Sequence, residues 1–178
     1  MFRLRKKHSK RVLDKPPPAD ADQLIRAQSL IAAILAALLA AAVFNFAWVW
    51  LAGATGRFYP WFSILQGAAI GFAVQRRGHG LDWRYPALAA AVAVIASFSG
   101  GFFIALATTV TELEAGSMRI LRALTWRTWQ IYFDEVINPV DFIYALVAAS
   151  LAAFYARRRL LRHEEFALRT RRQETSNE

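Results

Sequence analysis

The sequence holds no cysteine at all. Disulfide frameworks, thiolate metal sites, iron–sulfur ligation and cysteine nucleophiles are therefore excluded. Acidic residues are few, 13 against 22 Lys and Arg, for a formal net charge of +9 over 178 residues. Charge of either sign is missing from long stretches. Between consecutive Asp, Glu, Lys or Arg residues lie thirty uncharged positions from Arg26 to Arg57 and eighteen from Arg57 to Arg76. A further twenty-seven separate Arg84 from Glu112, and fifteen separate Asp141 from Arg157. A soluble core mixes apolar and charged residues at helix or strand period, and this chain segregates them. No P-loop, dinucleotide glycine motif, metal-binding helix signature or nucleophile–base–orienter set occurs, so the sequence offers neither an enzyme nor a cofactor.

What is present is apolar. Hydrophobic residues make up 56%, above the ~45–50% of soluble domains. A helix crosses ~30 Å of hydrocarbon with about 20 apolar residues. The uncharged blocks predict four transmembrane helices at Ala27–Ala52, Pro60–Val74, Pro86–Thr109 and Val140–Ala156, the last with Asp141 at the interface. The expected fold is an all-α integral membrane four-helix bundle. It comprises a basic arm over 1–26 with the stiff spacer Pro16-Pro17-Pro18, a membrane domain over 27–156, and a basic tail over 157–178 that continues the last helix. The first block is too long for a signal peptide. The string around Lys10-Arg11 lacks the second arginine of a twin-arginine signal.

Orientation follows from the cations. Eighteen of the 22 fall in the arm, in the loop Arg76–Arg84 and in the tail, and only Arg57, Arg119, Arg122 and Arg127 fall on the other side. By the positive-inside rule both termini are cytoplasmic, in a bacterial inner membrane. The basic clusters need only anionic headgroups as partners, with no nucleic acid.

The outer stretch Glu112–Val136 is amphipathic at 100° per residue. Glu112, Arg119, Arg122, Arg127, Gln130 and Asp134 share one face, and Leu113, Ile120, Leu121, Leu124, Ile131 and Tyr132 share the other. It is expected as a helix lying on lipid or on a partner. Trp126 and Trp129, with Trp83 in the cytoplasmic loop, are expected interfacial anchors.

Polar residues within spans are costly unless they have a partner or a task. The candidates are Asn45 and Gln66, with Ser97, Ser99 and Ser150 beside them, and no ionisable residue lies deep in a span. Asn45 and Gln66 suit hydrogen bonds between helices, or a pore in an oligomer. Small residues recur every four positions, as in the Gly67–Gly71 GxxxG and the series Ala93, Ser97, Gly101, Ala105. Such faces let helices approach closely, within the chain or against another membrane subunit or a second copy. Gly100-Gly101 marks close packing. His79 and Asp82 are too few for a metal site, and Asn138 and Asp141 suit the N-terminus of the last helix.

The strings Gly67-x-x-x-Gly71-Phe72-Ala73-Val74, Gly78-x-Gly80 and Pro139-x-Asp141-x-x-Tyr144-Ala145-Leu146 resemble small four-helix bacterial inner-membrane proteins of unassigned function. That resemblance implies four spans and carries no activity. The expectation is a non-enzymatic accessory or scaffold subunit, with a small oligomeric transporter or channel as the alternative.

Overall fold

A computed structural model describes residues 21–112, 138–158 and 161–177, together with Thr125, Arg127 and Gln130. The described residues are helical, with no strand among them. In chain order the helices are α1 (Ala21–Arg26), α2 (Leu30–Thr55), α3 (Phe62–Gly78), α4 (Arg84–Glu112), α5 (Pro139–Ala156) and α6 (Arg162–Asn177). Residues 28–158 form one compact unit, and the flanking segments that carry α1 and α6 form another.

Local chemistry sets the ends of α2. Ser29 is extended at φ −136° and its hydroxyl accepts from the Ala32 N–H at 3.2 Å, a serine N-cap. Gly56 closes the helix at φ 64°, donating its N–H to the Ala52 carbonyl at 2.8 Å. The first span therefore begins three residues later than the charge count implied, because the cap and not Arg26 fixes its start.

Among the described residues, three helices are long and apolar enough to cross a membrane: α2, the Arg84–Thr108 part of α4, and α5. The expected fourth, α3, runs past Val74 through Arg76 and Arg77 to Gly78. Its 17 residues leave it short of the length and apolarity of the other three. The tail does not continue the last helix. Arg157 turns extended at ψ 120°, and α6 starts afresh where the Leu161 N–H donates to Glu164 Oε2 at 2.9 Å. The interfacial helix expected over 112–136, with Trp126 and Trp129, lies almost wholly outside the described residues.

Within the 28–158 unit, α3 and α4 pack against each other and against both α2 and α5. The interior is made of small residues. Ala33, Ala37, Ala41, Ala89, Ala93, Ala96, Ala152 and Ala156 are buried around Ile70, Val74 and Tyr85. Many large apolar side chains point outward: Ile31 is 73% exposed, Leu39 68% and Phe46 76%. Water would penalise each by roughly 1.5–3 kcal/mol relative to burial. Small inside and large outside is the arrangement that lipid favours, because close backbone approach supplies the packing. The three apolar helices and this surface are consistent with a multi-pass membrane protein.

One end of this unit is tied by hydrogen bonds to backbone carbonyls. The Ser29 N–H donates to the Gly78 carbonyl at 3.1 Å, and Gln75 Nε2 donates to the Arg157 carbonyl at 2.9 Å. The start of α2, the end of α3 and the end of α5 thus meet, so α3 runs antiparallel to α2 and parallel to α5. His79 turns the chain there in the left-handed region at φ 47°. Gly80 lies flat against the buried Tyr85 ring, and a Cβ at position 80 would overlap the base of that ring. Gly80→Ala is therefore expected to cost about 1–3 kcal/mol, read as a lower melting temperature in detergent.

Candidate functional site

Two features stand out inside the 28–158 unit. The first is a string of neutral polar groups that crosses it. Gln66 is fully buried, and its Nε2 donates to Asn45 Oδ1 at 2.7 Å and to the Ala41 carbonyl at 3.3 Å. Asn45 Nδ2 donates to Ser99 Oγ at 3.0 Å, and Ser99 passes its own hydrogen to the Ala96 carbonyl at 3.1 Å. The string runs one way, from α3 through α2 to α4, and ends on a backbone acceptor. It has no ionisable member, so it carries cohesion between three helices and no acid–base chemistry. Gly100 makes room for it, since a Cβ there would lie 2.7 Å from both Asn45 Oδ1 and the Trp48 ring. Gln66 Oε1 and Trp48 Nε1 are buried without a hydrogen-bond partner.

Interhelical hydrogen bonds of this kind contribute about 0.6–1.7 kcal/mol. Gln66→Leu, similar in volume, is expected to cost about 1 kcal/mol. The check is thermal unfolding in detergent, where a loss of more than a few degrees would show that Gln66 does more than tie helices together.

The second feature is a cavity of about 270 Å³ at the opposite end from the Ser29–Gly78 bond. Trp48 of α2, Phe58 before α3, Phe98 and Gly101 of α4, and Asp141 and Tyr144 of α5 form much of its wall. Ser63, Ser97 and Thr108 add hydroxyls. Trp48 is 2% exposed and stacks on Phe58 and on Phe62, each at 5.7 Å between ring centroids. Phe98 meets Phe142 edge-on at 5.2 Å. Asp141 Oδ2 accepts from the Asn138 N–H at 2.9 Å, which holds the carboxylate over the first turn of α5.

The residues singled out in the sequence divide among several places. Asn45 and Gln66 come together through a direct bond. Gly67 and Gly71 lie on the α5 backbone at Ala148 and Ala152, a pairing of equal four-residue steps on the two helices. Ser97 is buried, bonds back to the Ala93 carbonyl at 2.8 Å, and lines the cavity with Gly101. Trp83 is 77% exposed in the loop before α4. Sequence reasoning gave no role to Trp48, Phe58 or Tyr144, which lie far apart in the chain and share no motif. No cluster of metal-ligating side chains occurs among the described residues. No family model, curated protein or solved structure matches the chain.

Proposed function

We propose that the chain is a four-span protein of a bacterial inner membrane, with both termini cytoplasmic. In this reading it acts as a non-enzymatic accessory or scaffold subunit that packs on another membrane protein or on a second copy. The observation that carries the fourth span is the joined end described above. With Gly78 bonded to Ser29 and Gln75 to Arg157, α3 lies alongside helices that cross. Its 17 residues reach about 25 Å at 1.5 Å per residue. Arg76 and Arg77 then fall at the headgroup level, where long basic side chains snorkel, and Arg76 already lies 4.6 Å from the Phe72 ring centre. Arg76, Arg77, Arg84 and Arg157 share that end, which makes it cytoplasmic by the positive-inside rule and a contact for anionic headgroups.

The subunit role is supported by how the small residues are used. The Gly67–Gly71 face is occupied by α5 within the chain, so a partner is met through the outward ridges of α2 and α5, such as Leu35, Leu39, Leu146 and Phe154. Purification in mild detergent is expected to yield a stoichiometric complex or a defined homo-oligomer. A clean monomer that binds nothing overturns the proposal.

A small oligomeric transporter or channel is the second reading, favoured by the polar string and the cavity. It requires Asn45→Leu and Gln66→Leu to change flux in proteoliposomes, and unchanged flux removes both residues from any pathway.

A further inference from the structure

We propose that the cavity walled by Trp48, Phe58, Phe98, Tyr144 and Asp141 is a binding site for a compact arylalkyl or alkyl primary ammonium. At about 270 Å³ it is far larger than the voids that ordinary packing leaves, and close to the lower range of small-molecule sites. Its aromatic wall is held in place, because Trp48 is fixed between Phe58 and Phe62. Ring faces carry negative potential and attract a cation.

The polar groups in the wall point to the same chemistry. Asp141 is the one charged side chain among the described residues that line the cavity, and no Lys or Arg is among them. The Ser63 hydroxyl donates to the Pro60 carbonyl at 2.8 Å and the Ser97 hydroxyl to the Ala93 carbonyl at 2.8 Å. With their hydrogens committed to the backbone, both serines have only acceptor capacity left for a guest. The carboxylate is an acceptor as well, and its bond to the Asn138 N–H occupies a single site on one oxygen. An anion would meet the like charge of Asp141 with no cationic side chain among the described lining residues to offset it. A hydrocarbon would use neither the carboxylate nor the hydroxyls. An ammonium head supplies the positive charge that the described lining lacks and donates to Asp141 and the serine oxygens, and an aryl or alkyl body fills the ring-lined remainder.

The test uses the full chain in zwitterionic phosphatidylcholine nanodiscs, which removes cation binding to anionic lipid. Radiolabelled 2-phenylethylammonium is the probe, and 2-phenylethanol is the neutral competitor of similar shape. Saturable binding at one per chain is expected, with little displacement by the alcohol. Asp141→Asn is expected to weaken binding about tenfold or more, with the melting temperature close to that of the parent. Gly101→Leu, which fills the cavity, is expected to abolish it. Absence of saturable binding, equal displacement by 2-phenylethanol, or parental affinity in Asp141→Asn each overturns the assignment. Should Gly101→Leu fail to fold, the alcohol competition and Asp141→Asn still decide.

Discussion

Replacing Gly67 and Gly71 together by leucine is expected to lower the melting temperature of the detergent-solubilised protein by about 10 °C. A Cβ at Gly67 would run into the carbonyl oxygen of Ala148, with the carbonyl carbon at 2.7 Å and Cα at 2.8 Å. A Cβ at Gly71 would meet the Ala152 backbone in the same way. Backbone in the middle of a helix cannot rotate aside as a side chain can, so α3 and α5 must separate. Overpacking costs about 1–3 kcal/mol per site, and two sites on one seam draw heavily on a net stability of about 5–15 kcal/mol. Because α3 also touches α2 and α4, the displacement strains the rest of the packed helices. Gly53→Leu is the control, since a Cβ at Gly53 meets nothing within 4 Å, and its melting temperature should match the parent. Unchanged melting in the Gly67→Leu/Gly71→Leu variant would show that the two helices do not meet on this seam.

The GxxxG spacing was legible in the sequence because it is local. Its partner was not, since a four-residue step on one helix fits any small stripe of equal step, and this chain has several. Only the fold selects Ala148 and Ala152 from among them. Asn45 and Gln66 were likewise legible as polar positions in apolar runs, while the bond that joins them spans 21 positions and the bond from Asn45 to Ser99 spans 54. The cavity left no local trace. Asp141 reads in the sequence as a residue that suits a helix N-terminus, and that bond is present, yet nothing near it in the chain announces Trp48 or Phe58 across the cavity.

The uncharged intervals located α2, α3, α4 and α5 but misjudged their ends for a definite reason. Charge marks where a side chain becomes costly in lipid, whereas a helix stops where its backbone hydrogen bonds stop. So α3 continues through Arg76 and Arg77, both exposed, and α4 begins at Arg84 and extends to Glu112. In the tail the converse holds. The sequence Arg157–Arg159 is compatible with helix, yet the chain turns extended at Arg157, whose carbonyl is taken by Gln75.

The number of crossings is the claim on which orientation, partner surface and cavity all depend. Because the chain has no cysteine, single-cysteine variants report accessibility without background. Arg57→Cys lies between α2 and α3, Asp82→Cys between α3 and α4, and Gln173→Cys in α6, and all three parent residues are exposed. In spheroplasts a membrane-impermeant maleimide is expected to label Arg57→Cys at once. Asp82→Cys and Gln173→Cys should be labelled only after the membrane is permeabilised. Labelling of Arg57→Cys and Asp82→Cys from the same side would mean that α3 does not cross, and would contradict the four-span account.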